Sequence, residues 1–308
     1  MTDQAIDCRI RLAHSDFIMA NHRVHGVSVL PGVTFLDLVY RILIAQGFDH
    51  QGSALREVLF TEAVTTREGY ERELRVTIGA PAADGRPVLV ASRWLRDGAE
   101  AAPWRENARA RLVETADPVA APADLNGWRA AAVRHTDVAD LYRKTRGEGI
   151  VHGAPMTCHG TQYHGPYGLL AELRLDPSAV ATAAAFHLHP AIMDASTLAA
   201  FGREEGAGTE PFIPFFIAEF RAFGPLEPVV YAHIPHQEVL AGTGDLLRND
   251  YTLHGERGQV LARFTGISCK RIREASLITR LTEEVATGTP APAVAPEKTA
   301  AVWERTER

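Results

Sequence analysis

Residues 21–37 read NHRVHGVSVLPGVTFLD, and they contain the start of the first helix that the sequence predicts. Pro31 suits the first turn of a helix, because a residue there has no helical partner for its N–H. Apolar residues then recur at helical spacing and form one stripe, made of Phe35, Leu36, Val39, Ile42 and Leu43. Gly47 is a typical C-terminal stop. The sequence therefore predicts a core helix over residues 31–46.

The same stretch places a titratable side chain before that helix. His22 comes four residues before Gly26, which would let a ligand approach the backbone closely, and Pro31 stiffens the start of the helix. An imidazole, an open backbone N–H and an apolar wall together suit proton abstraction beside a carbonyl group. The residues alone leave a second interpretation open, in which His22 is a surface histidine on a loop before a core helix.

A second stretch, residues 188–200, reads LHPAIMDASTLAA and predicts another apolar helix over residues 190–201, again with a proline at its start. Asp194 lies inside the apolar run. A carboxyl group that faces a dry pocket has a raised pKa and can stay protonated, so Asp194 is a candidate acid. The alternative is an aspartate on the solvent face or at a cap, which the apolar neighbours of Asp194 disfavour.

Strand-like segments surround both predicted helices. Alternating apolar residues predict strands at residues 74–78, 88–95 and 108–113 in the first part of the chain. The second part has predicted strands at residues 171–175, 183–188, 229–234, 250–254 and 259–272, and a short helix at residues 138–145. Antiparallel strands around one apolar helix, found twice, predict two similar α+β units.

Two stretches have the composition of linkers. Residues 114–125 read ETADPVAAPADL and residues 287–301 read TGTPAPAVAPEKTAA, and both are rich in alanine and proline without apolar periodicity. We therefore expect a first unit over residues 1–113, a linker over residues 114–126, a second unit over residues 127–280, and an interdomain linker or tail over residues 281–308.

Composition excludes several classes of protein. The 308 residues carry a net charge of −6, which does not favour nucleic-acid binding. No apolar run reaches the ~20 residues of a membrane span, and the N-terminus lacks an apolar signal core, so we expect a cytoplasmic protein. The 3 cysteines lie far apart, which argues against a disulfide framework, and the 13 histidines show no convergent ligand spacing, so we predict no metal site. Common hydrolase, nucleotide and dinucleotide motifs are absent.

Two motifs together give the chain a resemblance to a known family. His22, Gly26 and Pro31 match H-x-x-x-G-x-x-x-x-P, and a second motif, H-P-x-x-x-D, runs from His189 to Asp194. In both motifs and in their order the chain resembles polyketide synthase dehydratase domains. The resemblance implies a double-hotdog fold, in which two antiparallel sheets each wrap around a central helix. It also implies that His22 and Asp194 meet at the seam between the two units.

The likeness extends over about residues 8–275, including the apolar segment PFIPFF at residues 211–216. It departs from the family pattern in two places. The family has Gln or His four residues after the aspartate, where this chain has Leu198. The family's Y-G-P-x-F motif has two candidate matches, GIVHGAPM at residues 149–156 and QYHGPYG at residues 162–168. The residue that assists the departing hydroxyl is accordingly one of three candidates: His152, Tyr163 and His164.

The resemblance also implies a reaction. The substrate would be a 3-hydroxyacyl thioester on the phosphopantetheine arm of an acyl carrier protein, within a modular polyketide synthase. Neutral His22 would remove the α-proton and protonated Asp194 would protonate the departing β-hydroxyl, giving an α,β-enoyl thioester and water. A backbone N–H at Gly26 or Val27 would hold the thioester oxygen, and Pro31 would line the site together with Leu198. No cofactor is implied. The expected partners are the carrier protein, neighbouring synthase domains and, as is common in the family, a second copy of the domain.

Other functions would use the same residues. A double-bond isomerase or a domain that closes a cyclic ether would also use His22, but an isomerase needs no acid to expel water, so the retained Asp194 favours dehydration. Leu198 weakens that preference. A catalytically silent domain would not need to keep both His22 and Asp194. A hotdog thioesterase would place a catalytic carboxylate near the first helix, where Asp37 is the candidate.

Overall fold

The computed structural model of the protein describes residues 4–95, 102–201, 212–235 and 246–271. The linker or tail expected at residues 281–308 lies outside these ranges, as do Pro211 of the PFIPFF segment and the last residues of the expected second unit. Within these ranges, no helix combines the length and the apolar character that a membrane span requires.

The elements fall on either side of residues 115–124, which form no helix or strand. The first half contains β1 (Ile6–Leu12), α1 (Phe17–Asn21), β2 (His22–Val24), β3 (Val27–Val29), α2 (Thr34–Ala45), β4 (Ser53–Phe60), β5 (Thr65–Thr66), β6 (Arg72–Ile78), β7 (Arg86–Trp94) and β8 (Arg105–Glu114). The second half contains α3 (Leu125–Ala130), β9 (Arg134–Asp137), α4 (Ala139–Gly147), β10 (Ile150–His152), β11 (Cys158–His159), β12 (Thr161–Gly165), β13 (Gly168–Leu175), α5 (Pro177–Val180), α6 (Pro190–Phe201), β14 (Phe212–Ala222), β15 (Val229–Ile234), β16 (Leu246–His254) and β17 (Val260–Arg271). The exact unit boundaries stay a prediction.

One antiparallel sheet runs through both halves. Its order among the described residues is β1–β6–β7–β8–β4–β14–β17–β16–β15–β13–β12–β9, with β11 also paired to β13. The first half supplies one end of this sheet, with strands β1, β6, β7, β8 and β4, and the second half supplies the rest. Pairing of β4 with β14 joins the two parts edge to edge. The predicted α+β double hotdog is confirmed, and its two sheets form one continuous surface.

The two central helices pack together under this sheet. The helices α2 and α6 contact each other, and α6 also contacts β13, β15 and β16. Side chains from both helices and both parts of the sheet belong to one hydrophobic cluster. Because α6 is covered on nearly all sides, its small residues, such as Ala191 and Ala195, let the surrounding elements approach closely.

The predicted bounds of both central helices agree well with the structure. The second helix spans the predicted residues 190–201. The first begins at Thr34, three residues later than predicted, because the Pro31 carbonyl accepts the Thr34 N–H at 2.9 Å in a turn that precedes the helix. Gly47 ends it as predicted, with a φ of +72° that favours glycine over other residues.

The predicted strand at residues 183–188 is wrong. Ala183–Ala185 form a short 3₁₀ turn instead. The backbone N–H groups of His187 and Leu188, which a strand would use for sheet pairing, donate to the side chain of Asp37. A buried side-chain acceptor thus replaces a neighbouring strand, and the alternation in the sequence could not reveal this.

Asp37 connects the first half of the chain to the second through hydrogen bonds. Its Oδ1 accepts the N–H of His187 at 2.9 Å and of Leu188 at 2.7 Å, immediately before α6. Burial raises the pKa of Asp37 to about 7, although the Leu188 N–H and Arg41 oppose the shift. The Oδ2 atom has no hydrogen-bond partner among the described residues. The carboxylate is therefore engaged in holding the backbone, which removes the geometric basis for a thioesterase that would use Asp37.

We expect Asp37→Ala to lower the free energy of unfolding by about 2–6 kcal/mol, because two buried N–H groups lose their acceptor. Asp37→Asn keeps an oxygen at the Oδ1 position and should cost far less. In the wild type, the stability contributed by protonated Asp37 is present below pH 4 and is lost as pH rises through about 7. The Asn variant should lack this pH dependence. Urea unfolding of the three proteins between pH 5 and 8 measures both effects, and equal loss in both variants would contradict the assignment.

Candidate active site

The two histidines of the candidate site face each other in a second, smaller sheet. This sheet has the order β10–β2–β3–β5. His22, the first residue of β2, pairs directly with His152, the last residue of β10, and their ring centroids are 5.1 Å apart. Because β2 comes from the first half and β10 from the second, strand pairing brings together two side chains that are distant in the sequence.

His22 is neutral, and its ring has a fixed orientation. Its Nδ1 lies 2.7 Å from the Val29 carbonyl oxygen, and a carbonyl oxygen only accepts, so Nδ1 carries the proton. The other ring nitrogen, Nε2, therefore has a lone pair in the neutral form. Burial lowers the pKa of His22, and the nearby charge of Asp194 only partly offsets this effect. The predicted surface-loop alternative is wrong, since His22 is a buried strand residue.

Asp194 lies on α6 and is hydrogen-bonded to His152. The His152 Nε2 and Asp194 Oδ2 atoms are 2.8 Å apart, and both residues are buried. Burial alone would raise the pKa of Asp194, but the hydrogen bond and charge of His152, with a smaller contribution from His22, lower it. The expectation of a raised pKa is therefore wrong. The expectation rested on the apolar residues of the helix alone, and the sequence does not show that the His152 imidazole is hydrogen-bonded to this carboxylate.

His189, the histidine of the H-P-x-x-x-D motif, has a local structural role. Its Nδ1 accepts the Ala191 N–H at 3.3 Å, and its Nε2 lies 3.2 Å from the Thr182 hydroxyl. Burial lowers the pKa of His189 to about 4, so the ring is neutral. His189 thereby satisfies a free N–H at the start of the helix that carries Asp194.

Gly26 lies in the turn of the β2–β3 hairpin, and Val27 is the first residue of β3, where it pairs with Val24. His25 and Gly26 both have positive φ values, +48° and +82°, as a two-residue hairpin turn requires. A Cβ added to Gly26 would meet nothing within 4 Å. The expected role of the Gly26 and Val27 N–H groups in holding the thioester oxygen stays a prediction.

Of the three candidates for assisting the departing hydroxyl, the structure brings His152 to Asp194. Tyr163 lies on β12 and packs in a separate cluster that includes Trp128 and Tyr231. His164 contacts Arg134 at 3.1 Å and the Thr136 hydroxyl at 3.0 Å. The expectation that Tyr163 or His164 serves the site therefore disagrees with their positions on the outer strands.

Leu198 and Pro31 lie in or beside the core, and their expected role in lining the site stays a prediction. Leu198 lies one turn along α6 from Asp194 and packs against the main hydrophobic cluster. It supplies no hydrogen bond, so the partner of Asp194 comes from β10 instead of from α6. Pro31 is buried in the turn that leads into α2.

Sequence reasoning missed two residues that support His152. The ring of Tyr142, on α4, packs edge-on against His152 with centroids 5.1 Å apart. The Tyr142 hydroxyl accepts the Cys158 N–H at 2.8 Å, and the Cys158 thiol lies 3.7 Å from the Ala191 carbonyl oxygen. Neither residue belongs to a motif. The one indication in the sequence that Tyr142 faces the protein interior is its position in a short amphipathic helix.

His22, His152 and Asp194 also form a set that could hold a metal ion, since one ligand atom from each lies within 4.8 Å of the others. Two features oppose this use. The His152–Asp194 hydrogen bond already engages two of the donors. In addition, His152 Nδ1 has no hydrogen-bond partner among the described residues, whereas a metal-bound histidine normally donates its second N–H to an acceptor.

Comparison with known proteins assigns both parts of the chain to one family. Residues 2–93 match the family described as polyketide synthase dehydratase domain, and residues 120–278 match the family described as polyketide synthase dehydratase N-terminal domain. A double-hotdog fold with a buried histidine and aspartate at its seam agrees with this assignment. The chain belongs to the polyketide synthase dehydratase family.

Individual relatives support the family and the fold. The N-terminal dehydratase of the difficidin assembly line, a solved structure, is 31% identical with a TM-score of 0.82, and the match covers 91% of this chain and 98% of that one. A monomeric dehydratase domain from a trans AT polyketide synthase split module has the same fold at 22% identity, with a TM-score of 0.80 and coverage of 87% and 100%. Polyketide synthase PksL of Bacillus subtilis (strain 168) is 24% identical over 84% of this chain, which spans only 6% of PksL.

We expect the purified protein to hold no stoichiometric metal. Dialysis against EDTA should leave the melting temperature unchanged, because the hydrogen bonds of His22, His152 and Asp194 hold the site without an ion. Elemental analysis before and after dialysis, together with thermal melting, tests this. One equivalent of metal that Asp194→Asn removes, accompanied by a lower melting temperature, would show instead that the three residues are ligands.

Proposed function

We propose that this domain removes water from a 3-hydroxyacyl thioester carried on the phosphopantetheine arm of an acyl carrier protein, giving an α,β-enoyl thioester within a modular polyketide synthase. The observation that carries the proposal is the placement of a neutral, oriented His22 beside Asp194, with each residue supplied by a different half of the chain. A base near the α-carbon and a proton-bearing group near the β-hydroxyl are what β-elimination of water requires.

His22 acts as the base. Its Nδ1–H is fixed on the Val29 carbonyl, so Nε2 is the atom that takes the α-proton. The thioester carbonyl makes this proton acidic, and burial keeps the imidazole unprotonated and ready to accept it. Holding base and α-carbon in a fixed geometry replaces an encounter in solution with an intramolecular step.

Asp194 acts on the β-hydroxyl. As the α-proton leaves, the electron pair forms the double bond, the C–O bond breaks, and the departing oxygen takes a proton and leaves as water. The site around Asp194 supplies that proton. All steps are proton transfers and bond rearrangements within the substrate, so the proposal includes no cofactor.

The contact between His152 and Asp194 favours dehydration over double-bond isomerisation. An isomerase returns the abstracted proton to another carbon and expels no oxygen, so a buried carboxylate with its own proton-bearing partner would have no task there. Cyclic-ether formation also begins with dehydration and would need a second hydroxyl on the substrate. A silent domain would not require His22 to be oriented through Val29 and Asp194 through His152.

The partners follow from the relatives and the substrate. The curated relatives are much longer synthases, of which this chain matches a small part. We therefore propose that the domain works beside other synthase domains and receives its substrate from a carrier protein. One solved neighbour is described as a monomeric dehydratase domain, and self-association of this chain stays a prediction.

We expect His22→Ala to abolish both water loss and exchange of the α-proton, because both begin at His22 Nε2. Asp194→Asn should lower water loss at least ~10²-fold and leave exchange measurable, because only the second half of the reaction uses the carboxyl group. Mass spectrometry of a carrier-bound 3-hydroxyacyl substrate in heavy water follows both reactions at once. If Asp194→Asn retains both at the wild-type rate, the role of Asp194 fails. If the wild type exchanges the α-proton but loses no water, the isomerase alternative replaces dehydration.

The acidic side of the pH profile should report His22. Since burial lowers its pKa from 6.5, the imidazole stays neutral as pH falls past 6.5 and is protonated only at lower pH. We therefore expect kcat/KM for a pantetheine thioester substrate to remain constant down to about pH 6.5. A decline that begins above this value would show that His22 is not the base or is not buried.

A further inference from the structure

His152 has an arrangement that packing alone does not explain. Its side chain is 1% exposed, and it donates or shares a proton with Asp194, whose side chain is 12% exposed. The Asp194 carboxyl is thus the more accessible of the two groups, and His152 lies behind it. The other ring nitrogen, Nδ1, is buried without a hydrogen-bond partner among the described residues.

Few charged groups surround the His152–Asp194 pair. Besides His22 on β2, the titratable groups that act on the pair are Tyr142 on α4, Cys158 on β11 and Tyr251 on β16. Burial raises the pKa of all three of these groups, so they stay neutral near pH 7. With neutral His22, the overall charge of the site depends on the protons that His152 and Asp194 hold.

A buried carboxylate without a compensating proton or cation is costly. With one transferable proton between them, His152 and Asp194 are neutral overall, either as imidazolium and carboxylate or as imidazole and carboxylic acid. Without it, the pair carries a buried negative charge. The geometry therefore favours retention of one proton at the pair until a substrate oxygen takes it.

We infer that His152 is a positioning residue that stores the proton for the departing hydroxyl and delivers it through Asp194. This inference rests on the proposed dehydration. The proton crosses the 2.8 Å bond from His152 Nε2 to the Asp194 carboxyl, which passes it to the oxygen as the C–O bond breaks. The pair is then one proton short and His22 holds one extra, the former α-proton. Ligand atoms of the three residues lie within 4.8 Å, so one water molecule can return this proton to the pair.

Two substitutions at His152 separate this role from space filling. In His152→Gln, the amide can still donate to Asp194 but holds no transferable proton, so the carboxylate stays charged. We expect kcat for water loss to fall at least ~10²-fold near pH 7, while α-proton exchange persists. In His152→Phe, the ring shape is kept and the hydrogen bond is lost. Burial then favours protonated Asp194, so we expect a loss of only ~10-fold and a displaced alkaline limb of the pH profile.

The matched control is a second histidine–aspartate pair with the same spacing. His159 Nε2 and Asp176 Oδ2 are also 2.8 Å apart, but the His159 side chain is 57% exposed on the surface. His159→Gln should leave both reactions and the pH profile unchanged. Equal losses in His152→Gln and His152→Phe, with the wild-type pH profile retained, would overturn the inference and leave His152 as a packing residue.

The same experiment distinguishes failure of this inference from failure of the proposed function. If the wild type catalyses neither α-proton exchange nor water loss, the proposed function fails. If the wild type is active and His152→Gln keeps its rate of water loss, only the role of His152 fails. Should both variants melt early, NMR of the wild type with labelled histidine and aspartate decides. A proton on His152 Nε2 that couples to the Asp194 carboxyl through their hydrogen bond is expected, and its absence would overturn the inference.

Discussion

The hydrogen bonds from His187 and Leu188 to Asp37 are the contact on which the arrangement of the molecule depends. They fix the start of α6 against the first turn of α2, and α6 carries Asp194. Pairing of β4 with β14 joins the halves on the sheet side, while Asp37 joins them in the core. A carboxylate suits this place because one of its oxygens can accept two backbone N–H groups that no strand satisfies.

Much of the fold was readable from the sequence because its central helices have clear ends. The span of α6 and the end of α2 follow from proline, apolar spacing and glycine, which act locally. The segment before α6 was misassigned because its partner is a side chain far away in sequence. The small sheet that contains β2 and β10 escaped prediction for a related reason, since its strands are very short and gain stability from each other.

The candidate site was predicted in part. The motifs identified His22 and Asp194, but they left three candidates for the assisting residue, because the choice depends on which segment pairs with β2. The protonation of Asp194 was predicted with the wrong sign, since an isolated buried carboxyl behaves oppositely to one bonded to an imidazole. Gly26 was assigned to ligand binding, which stays a prediction, and its positive φ shows that the hairpin turn also favours glycine there.

The pairing of β10 with β2 also limits how the chain can change in length. Along β10, Val151 is exposed and His152 is buried, as alternation in a strand requires. A single inserted or deleted residue between α4 and β10 that shifted this register would turn the imidazole toward solvent and place a valine or glycine at Asp194. The length of the loop before β10 is therefore constrained. Only insertions or deletions that preserve the pairing of β10 with β2 keep His152 in the site.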